Sequence, residues 1–274
     1  VRGPALLALV LAVALAGCGG SGGGPARGAQ PPQRSGARPR PPAPAPPRHV
    51  AGRHDAPVPV LVYHVIGTYA GGSSLEGLYV PPAELRAQVA WLARAGWHAV
   101  TLDRVLAYWR DGVALPRKPV VLTFDDGYPG DWRYALPILR AHGWPGVLNL
   151  QIGNLVPLHV RQLIDAGWEI ASHTFTHPDL TTVGQVQLTR EVAASRAWLQ
   201  RVYRVPVRVF CYPYGHYDAA VVAAVRRAGY AAAETENPGW ASPADGLLTL
   251  DRIRVGPTTG VAGLAALLRA PSRG

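Results

Sequence analysis

Val120-Val121-Leu122-Thr123-Phe124-Asp125-Asp126-Gly127-Tyr128 decides how this chain is read. Four apolar or β-branched residues run into an aromatic, then two carboxylates, then a glycine. The first part has the composition of a parallel strand buried on both faces. Its carboxylates then stand at the C-terminal end, where α/β folds place their chemistry. Two neighbouring acids in a confined site repel each other unless a cation or a proton separates their roles. A second segment, Ser172-His173-Thr174-Phe175-Thr176-His177-Pro178, brings two histidines four apart. One aspartate and two histidines make an open ligand set for a catalytic metal. The other aspartate is then free to act as base on metal-bound water.

The paired segments resemble the first two motifs of the NodB-type polysaccharide deacetylases, carbohydrate esterase family 4, and the resemblance runs from about Val58 to Thr258. It implies that Asp125 is the general base and that Asp126, His173 and His177 hold one divalent metal. Zinc is the expected ion, and cobalt or nickel suits the same donors. Thr176 or Asp179 is the expected partner of a ligand imidazole. Phe210-Cys211-Tyr212-Pro213-Tyr214-Gly215 resembles the third motif of the family. There the N–H after the proline, here that of Tyr214, helps bind the oxyanion. Tyr128, Pro213 and Tyr214 are then the substrate-facing residues, and Tyr128, Trp132, Tyr214 and Trp240 are candidate sugar-stacking surfaces.

The chain departs from the family pattern twice. Relatives often carry an arginine two positions before that proline, partnering the catalytic aspartate; this chain has Cys211. Many relatives carry Leu-x-His on a late strand, which supplies the general acid. Leu248-Thr249-Leu250-Asp251-Arg252-Ile253-Arg254-Val255 has none, and no histidine follows His216. The stretch Leu61-Val62-Tyr63-His64-Val65-Ile66 resembles the opening Tyr-His segment of the subgroup acting on poly-β-1,6-N-acetylglucosamine. His64 is therefore the expected acid, and Asp251, Arg252 and Arg254 are left to shape the groove. The activity implied is metal-dependent hydrolysis of N-acetyl groups on an N-acetylglucosamine-containing polysaccharide of the wall or cell exterior. An O-acetyl esterase acting on a polymer such as xylan, or a carbohydrate-binding lipoprotein whose catalysis has lapsed, are the alternatives.

The ends of the chain read differently from its middle. The apolar run from Ala5 to Ala16 is too short to span a bilayer and suits a signal-peptide core. Leu15-Ala16-Gly17-Cys18 looks like a lipobox, so residues 1–18 are expected to be a leader ending at a lipidated Cys18. That predicts export and anchoring to the outer face of the cell membrane. Residues 19–57 are rich in Gly, Pro, Ala and Arg without an aromatic and read as a tether. Residues 1–57 hold seven arginines against one aspartate, which leaves the domain at 58–274 only +4 of the total +10. No basic helix or aromatic-basic platform supports nucleic acid binding, and no obligate protein partner is indicated. Of the two cysteines, Cys211 sits in a strand-like run and is expected to be buried.

Helix ends recur as Gly plus an aromatic at Ala95-Gly96-Trp97, His142-Gly143-Trp144, Ala166-Gly167-Trp168 and Ala228-Gly229-Tyr230. Glycine suits the left-handed position after a helix. Repeated helix-to-strand junctions predict a parallel sheet with helices outside it. Strands are expected at 58–64, 98–102, 120–124, 147–151, 169–172, 208–212, 230–233 and 252–255. Helices are expected to open at Pro82 and to be capped by Asp103 and Asp218, with Pro137 near the start of a third and 186–203 the longest. The resemblance implies a distorted (β/α) barrel of about seven strands; the pattern alone fits an open doubly wound sheet equally well.

Overall fold

The computed structural model describes residues 48–269 except 73, 74 and 155. The leader, Cys18 and most of the tether lie outside the described residues. The strands are β1 (Val60–Tyr63), β2 (Val65–Ile66), β3 (Tyr79–Val80), β4 (His98–Ala99), β5 (Pro119–Asp125), β6 (Val147–Leu150), β7 (Glu169–Ser172), β8 (Val209–Cys211), β9 (Ala232–Pro238) and β10 (Leu250–Arg254). Seven of them form a closed parallel ring in the order β1-β10-β9-β8-β7-β6-β5. The closing pair sets Val60–Tyr63 against Val121–Phe124. That pairing makes a barrel of what could have been an open sheet. β4 pairs with the first residues of β5, and β2 pairs with β3.

Alternation divides every strand between two faces. Leu61, Tyr63, Leu122, Phe124, Leu148, Ile170 and Phe210 join the large cluster under the outer helices. Val60, Val121, Val147, Ala171, Val209 and Leu250 form a second cluster with Leu102, Val105 and Leu106. These three come from one helix, which plugs the base of the barrel. Further up the same inner face the side chains turn polar, with Thr123, Asp125, Asn149, Glu234 and Arg252 all buried.

The helices around the ring are α1 (Pro82–Arg94), α2 (Leu102–Asp111), α3 (Leu136–Arg140), α4 (Pro157–Asp165), α5 (Gln185–Thr189), α6 (Ser195–Tyr203), α7 (Ala219–Arg227) and α8 (Gly260–Leu267). Pro82 opens α1 as expected, and Asp218 caps α7 by accepting from the Val221 N–H at 2.8 Å. The cap of α2 is Thr101, which accepts from the Arg104 N–H, rather than Asp103. Asp103 lies inside the first turn, where its carboxylate pairs with Arg208 at 2.7 Å. Two π turns went unforeseen. One, Arg190–Ala194, joins α5 to α6 within the expected long helix. The other, Asp131–Ala135, precedes α3, and its wide bond from Leu136 N–H to Asp131 O reaches five residues back. Pro137, which has no N–H to offer, follows directly. Residues 48–57, grouped with the tether by composition, run along the domain instead. His49 bridges Val113, and the Val50 N–H bonds the Gly112 carbonyl at 2.9 Å.

Gly130 joins the Asp125–Tyr128 loop to the π turn with ordinary helical angles, so it needs no special φ. It needs space: a Cβ there would lie 2.1 Å from the Ile66 carbonyl oxygen. Gly130→Ala is expected to cost about 1–3 kcal/mol of stability, read by denaturant unfolding; an unchanged midpoint would refute the packing account. A second test concerns Glu169 at the base of the barrel, which accepts from the Asp103 N–H at 2.9 Å. Burial, with the Asp103 carboxylate adding, pushes its pKa up to about 8. The folded chain thus keeps a proton that the unfolded chain releases above roughly pH 4.3. Stability from this group is full at low pH and falls as pH rises through that window to the folded value. The stability gained by Glu169→Gln should therefore grow between pH 5 and pH 8. A gain independent of pH would contradict the assignment.

Candidate active site

The C-terminal ends of the strands open into a cleft of about 480 Å³. Among the described residues six non-glycines have left-handed backbone, and four of them, Asp126, Thr174, His177 and Tyr214, surround this cleft. Such conformations persist only where neighbours enforce them. Here the enforcement is visible. The Asp126 N–H bonds the Asn149 carbonyl at 3.0 Å, and the next residue, Gly127, has φ 81°. Across the cleft, Glu191 rises from its π turn and accepts from the Phe175 and Thr176 N–H groups at 2.7 and 3.1 Å. Its other oxygen takes the Thr176 hydroxyl at 2.9 Å, while the Thr174 hydroxyl oxygen accepts from the His177 N–H.

These constraints bring Asp126, His173 and His177 together. Asp126 Oδ1 is 3.4 Å from His173 Nε2 and 3.5 Å from His177 Nε2, and the two nitrogens are 3.0 Å apart. Asp126 Oδ1 is buried yet accepts no hydrogen bond from a described residue. The His173 Nδ1 lies 2.8 Å from the Cys211 carbonyl oxygen. A carbonyl only accepts, so Nδ1 carries a hydrogen, and Nε2 is the atom turned toward Asp126. Burial and the neighbouring His173 push His177 down to about 4, which leaves it neutral. Burial alone would lower the pKa of His173; the neighbouring carboxylates of Asp126 and Asp125 outweigh it and hold the ring above its ordinary value. One carboxylate oxygen and two imidazole nitrogens therefore converge. This donor set fits a divalent metal of the zinc type. The partner of the ligand imidazole is thus a main-chain carbonyl, not Thr176 or Asp179. Thr176 is engaged with Glu191, and Asp179 accepts from Thr181 and pairs with His216 at 2.8 Å.

Asp125 points the other way, into the barrel. Arg252 meets it with two parallel bonds, Nη1 to Oδ1 and Nη2 to Oδ2, both 2.9 Å. Arg252 is not a groove residue, as its late position had led us to expect, but a fully buried one. The arginine absent at Cys211 is thereby supplied from β10. A register irregularity between β9 and β10, where Leu250 matches Glu234 but Arg252 matches Pro238, accompanies this placement. Asn149 Nδ2 donates to Asp125 Oδ1 and to Glu234 Oε2, each at 2.7 Å. β6 and β9 are not neighbours in the ring, so this bridge crosses the barrel interior. Burial alone would raise the pKa of Asp125; the Arg252 guanidinium, with His64 and His173 adding, outweighs it and holds the carboxyl well below the usual range. Burial pushes Glu234 up to about 7. Cys211 is buried as expected, with Sγ 3.5 Å from Asp125 Oδ2.

His64 lies on the cleft wall with Nε2 4.0 Å from Asp125 Oδ2. Burial lowers its pKa from the ordinary value, although Asp125, Asp126 and Glu236 pull it back. Tyr128 and Tyr214 line the same wall. Tyr214 packs edge-on to the His177 ring, centroids 4.5 Å apart. Pro213 is buried behind the turn and does not reach the wall. Trp132 and Trp240 are absent from the wall. Trp132 stacks on His159, and Trp240 packs against Trp97. Two residues that matter here were legible only in part. Glu191 occupies a core position in the stripe Leu188, Val192, Ser195, Leu199, where a buried acid should have drawn attention. Arg252 stands two residues after the buried Leu250, on the same face of its strand, a spacing that its charge overrode in the reading of the sequence.

Comparison with known proteins agrees with this architecture. The polysaccharide deacetylase family profile matches residues 112–233. The fold superimposes on that of the Streptococcus pyogenes deacetylase PplD, solved in complex with acetate, with TM-score 0.73 and 26% identity over 78% of this chain and 99% of that one. A Bacillus cereus polysaccharide deacetylase gives TM-score 0.70 at 29% identity, over 78% of this chain and 70% of that one. In sequence, the poly-β-1,6-N-acetyl-D-glucosamine N-deacetylase of Escherichia coli K12 is 37% identical over 117 residues, 43% of this chain. The match spans only 16% of that protein's length.

Removing one partner of a buried ion pair strands the other charge, at about 3–5 kcal/mol. Arg252→Met is expected to destabilise the domain by that amount in denaturant unfolding. Adding Asp125→Asn should restore part of the loss, because the carboxylate that held both Nη groups of Arg252 is then gone. Strictly additive losses in the double variant would show that the two side chains are not coupled.

Proposed function

Because this chain belongs to the polysaccharide deacetylases, we propose that it removes N-acetyl groups from an extracellular or wall polymer containing N-acetylglucosamine, using one divalent metal. The observation that carries this reading is the convergence of Asp126 Oδ1 with the Nε2 atoms of His173 and His177, beside an Asp125 held apart by Arg252. Names given to relatives point to the same substrate class, among them a chitooligosaccharide deacetylase of Sinorhizobium fredii, 35% identical over 48% of this chain.

Asp126, His173 and His177 would hold the ion, which when bound supplies Lewis acidity and a water acidified to a pKa near about 7. Zinc is the default on ligand type. The protein's own groups divide the proton work. Asp125 stays ionised at any working pH and takes the proton of the attacking water. A carboxylate so strongly paired is a weak base, so the transfer depends on where the proton goes next. His64 stands 4.0 Å from the same carboxyl oxygen, and burial favours its uncharged form. It can receive that proton and pass it to the nitrogen of the breaking C–N bond. The Tyr214 N–H supplies a donor to the carbonyl oxygen as charge develops there. Tyr128, pushed up to about 12 chiefly by burial, keeps its hydroxyl hydrogen and can only donate to an anionic neighbour.

Wild-type protein is expected to release acetate from N-acetylglucosamine oligomers faster than from acetylated xylan; the reverse order would favour an esterase. Asp125→Asn should keep its metal and lose about 10²–10⁴-fold in turnover. His64→Ala should lower turnover with metal content intact, whereas Asp126→Ala should lose the metal itself. A fully active, metal-loaded Asp125→Asn protein would remove Asp125 from the role of base. Export and anchoring through a lipidated Cys18 complete the proposal. The mass of the mature N-terminus tests it, and an unmodified terminus elsewhere would reject lipidation.

A further inference from the structure

A second concave surface lies away from the catalytic cleft. It is a groove of about 410 Å³ between the π turn with α3 on one side and α4 on the other. Its wall shares no residue with the cleft. We propose that this groove is a glycan-binding site that holds a stretch of the same polymer remote from the acetamido group being hydrolysed. The proposal rests on the polysaccharide reading above for the identity of its ligand.

The chemistry of the wall suits a sugar. Trp132 contributes an indole whose plane is fixed by the His159 imidazole, with ring centroids 4.0 Å apart and 23° between planes. A rigid aromatic surface loses little freedom when a pyranose stacks its C–H face on it. Leu136, Pro137 and Ala166 complete the apolar part. Around them stand Arg140, Gln162 and Asp165. Arg140 comes from α3 and Gln162 and Asp165 from α4, so exposed donors and acceptors face the groove from both sides, and none of the three side chains has a hydrogen-bond or ion-pair partner among the described residues. An apolar platform with a few convergent polar groups is the general form of a small-ligand site, and the volume falls within the usual 300–1,000 Å³ range. Arg140 and Asp165 offset each other in charge. The groove therefore matches an uncharged N-acetylglucosamine segment better than an anionic polymer.

The test compares wild type with Trp132→Ala and with a Gln162→Ala/Asp165→Ala double variant. The double variant guards against misfolding of the first, because Trp132 also borders an internal cavity whereas Gln162 and Asp165 are exposed. Retention on an insoluble N-acetylglucosamine polymer and acetate release from that polymer and from the N-acetylglucosamine disaccharide are measured. Both variants should raise KM on the polymer by about tenfold, the first by loss of the stacking surface and the second by loss of its flanking hydrogen bonds. Retention should fall in parallel, while kcat on the polymer and both constants on the disaccharide stay unchanged. Wild-type retention and KM in both variants would overturn the groove while leaving the deacetylase reading intact. Equal losses on disaccharide and polymer would overturn it too, since they would mean a structural effect on the cleft. Retention that depends on these residues in a wild-type protein releasing no acetate would support the groove and sink the deacetylase reading.

Discussion

A guanidinium buried in the middle of a barrel has to find five acceptors, and everything near the cleft follows from how Arg252 finds them. Its Nε donates to the Thr235 carbonyl at 2.7 Å. Nη1 serves Thr123 Oγ1 and Asp125 Oδ1, and Nη2 serves Asp125 Oδ2 and Glu236 Oε1. All five N–H groups of the fork are used. In a low-dielectric interior an unmet donor or an unpaired charge would be costly, so this arrangement admits little variation. Asp125 is consequently locked in both position and ionisation. Its neighbour in sequence is thereby obliged to turn outward, toward the histidines.

The remaining polar groups settle around that lock. Asn149 has one amide nitrogen to divide between two carboxyls, and Arg252 stands 2.9 Å from Asp125 but 4.0 Å from Glu234. Glu234 is the loser of that competition and is pushed toward neutrality. At the rim the order is kept by different means. Left-handed backbone at Asp126, Thr174 and His177 would be costly in a free loop. The Glu191 carboxylate and the Thr174 hydroxyl hold the histidine loop by its N–H groups, and the Asn149 carbonyl holds the aspartate loop. Most of the left-handed non-glycine backbone among the described residues gathers at the rim.

Much of this was legible from the chain. The apolar run ending in Asp125-Asp126 and the His173/His177 pair were placed on strand ends by composition alone, and they converge. What the sequence could not say was how the ring closes, because the β1–β5 register joins segments about sixty residues apart that carry no mark of each other. The same blindness hid Arg252. An arginine in a late strand looks like surface chemistry, and only the three-dimensional ring brings it beneath Asp125 from across the sheet. The cap of α2 was read two residues late, at Asp103 rather than Thr101, since both residue types cap helices well. The two π turns escaped because an inserted helical residue leaves the apolar spacing nearly intact.

The bond from His173 to the carbonyl of residue 211 has an evolutionary corollary. The tautomer and tilt of that imidazole are set by a main-chain atom that every amino acid possesses. Position 211 can therefore drift in side-chain identity without disturbing the histidine above it, provided the strand path survives. The thiol now there is a free choice as far as that imidazole is concerned. With β10 supplying the cation for Asp125, the side chain at 211 has no charge to provide. Two jobs that one residue might have performed together, orienting the ligand and neutralising the base, have become separable and can be altered one at a time.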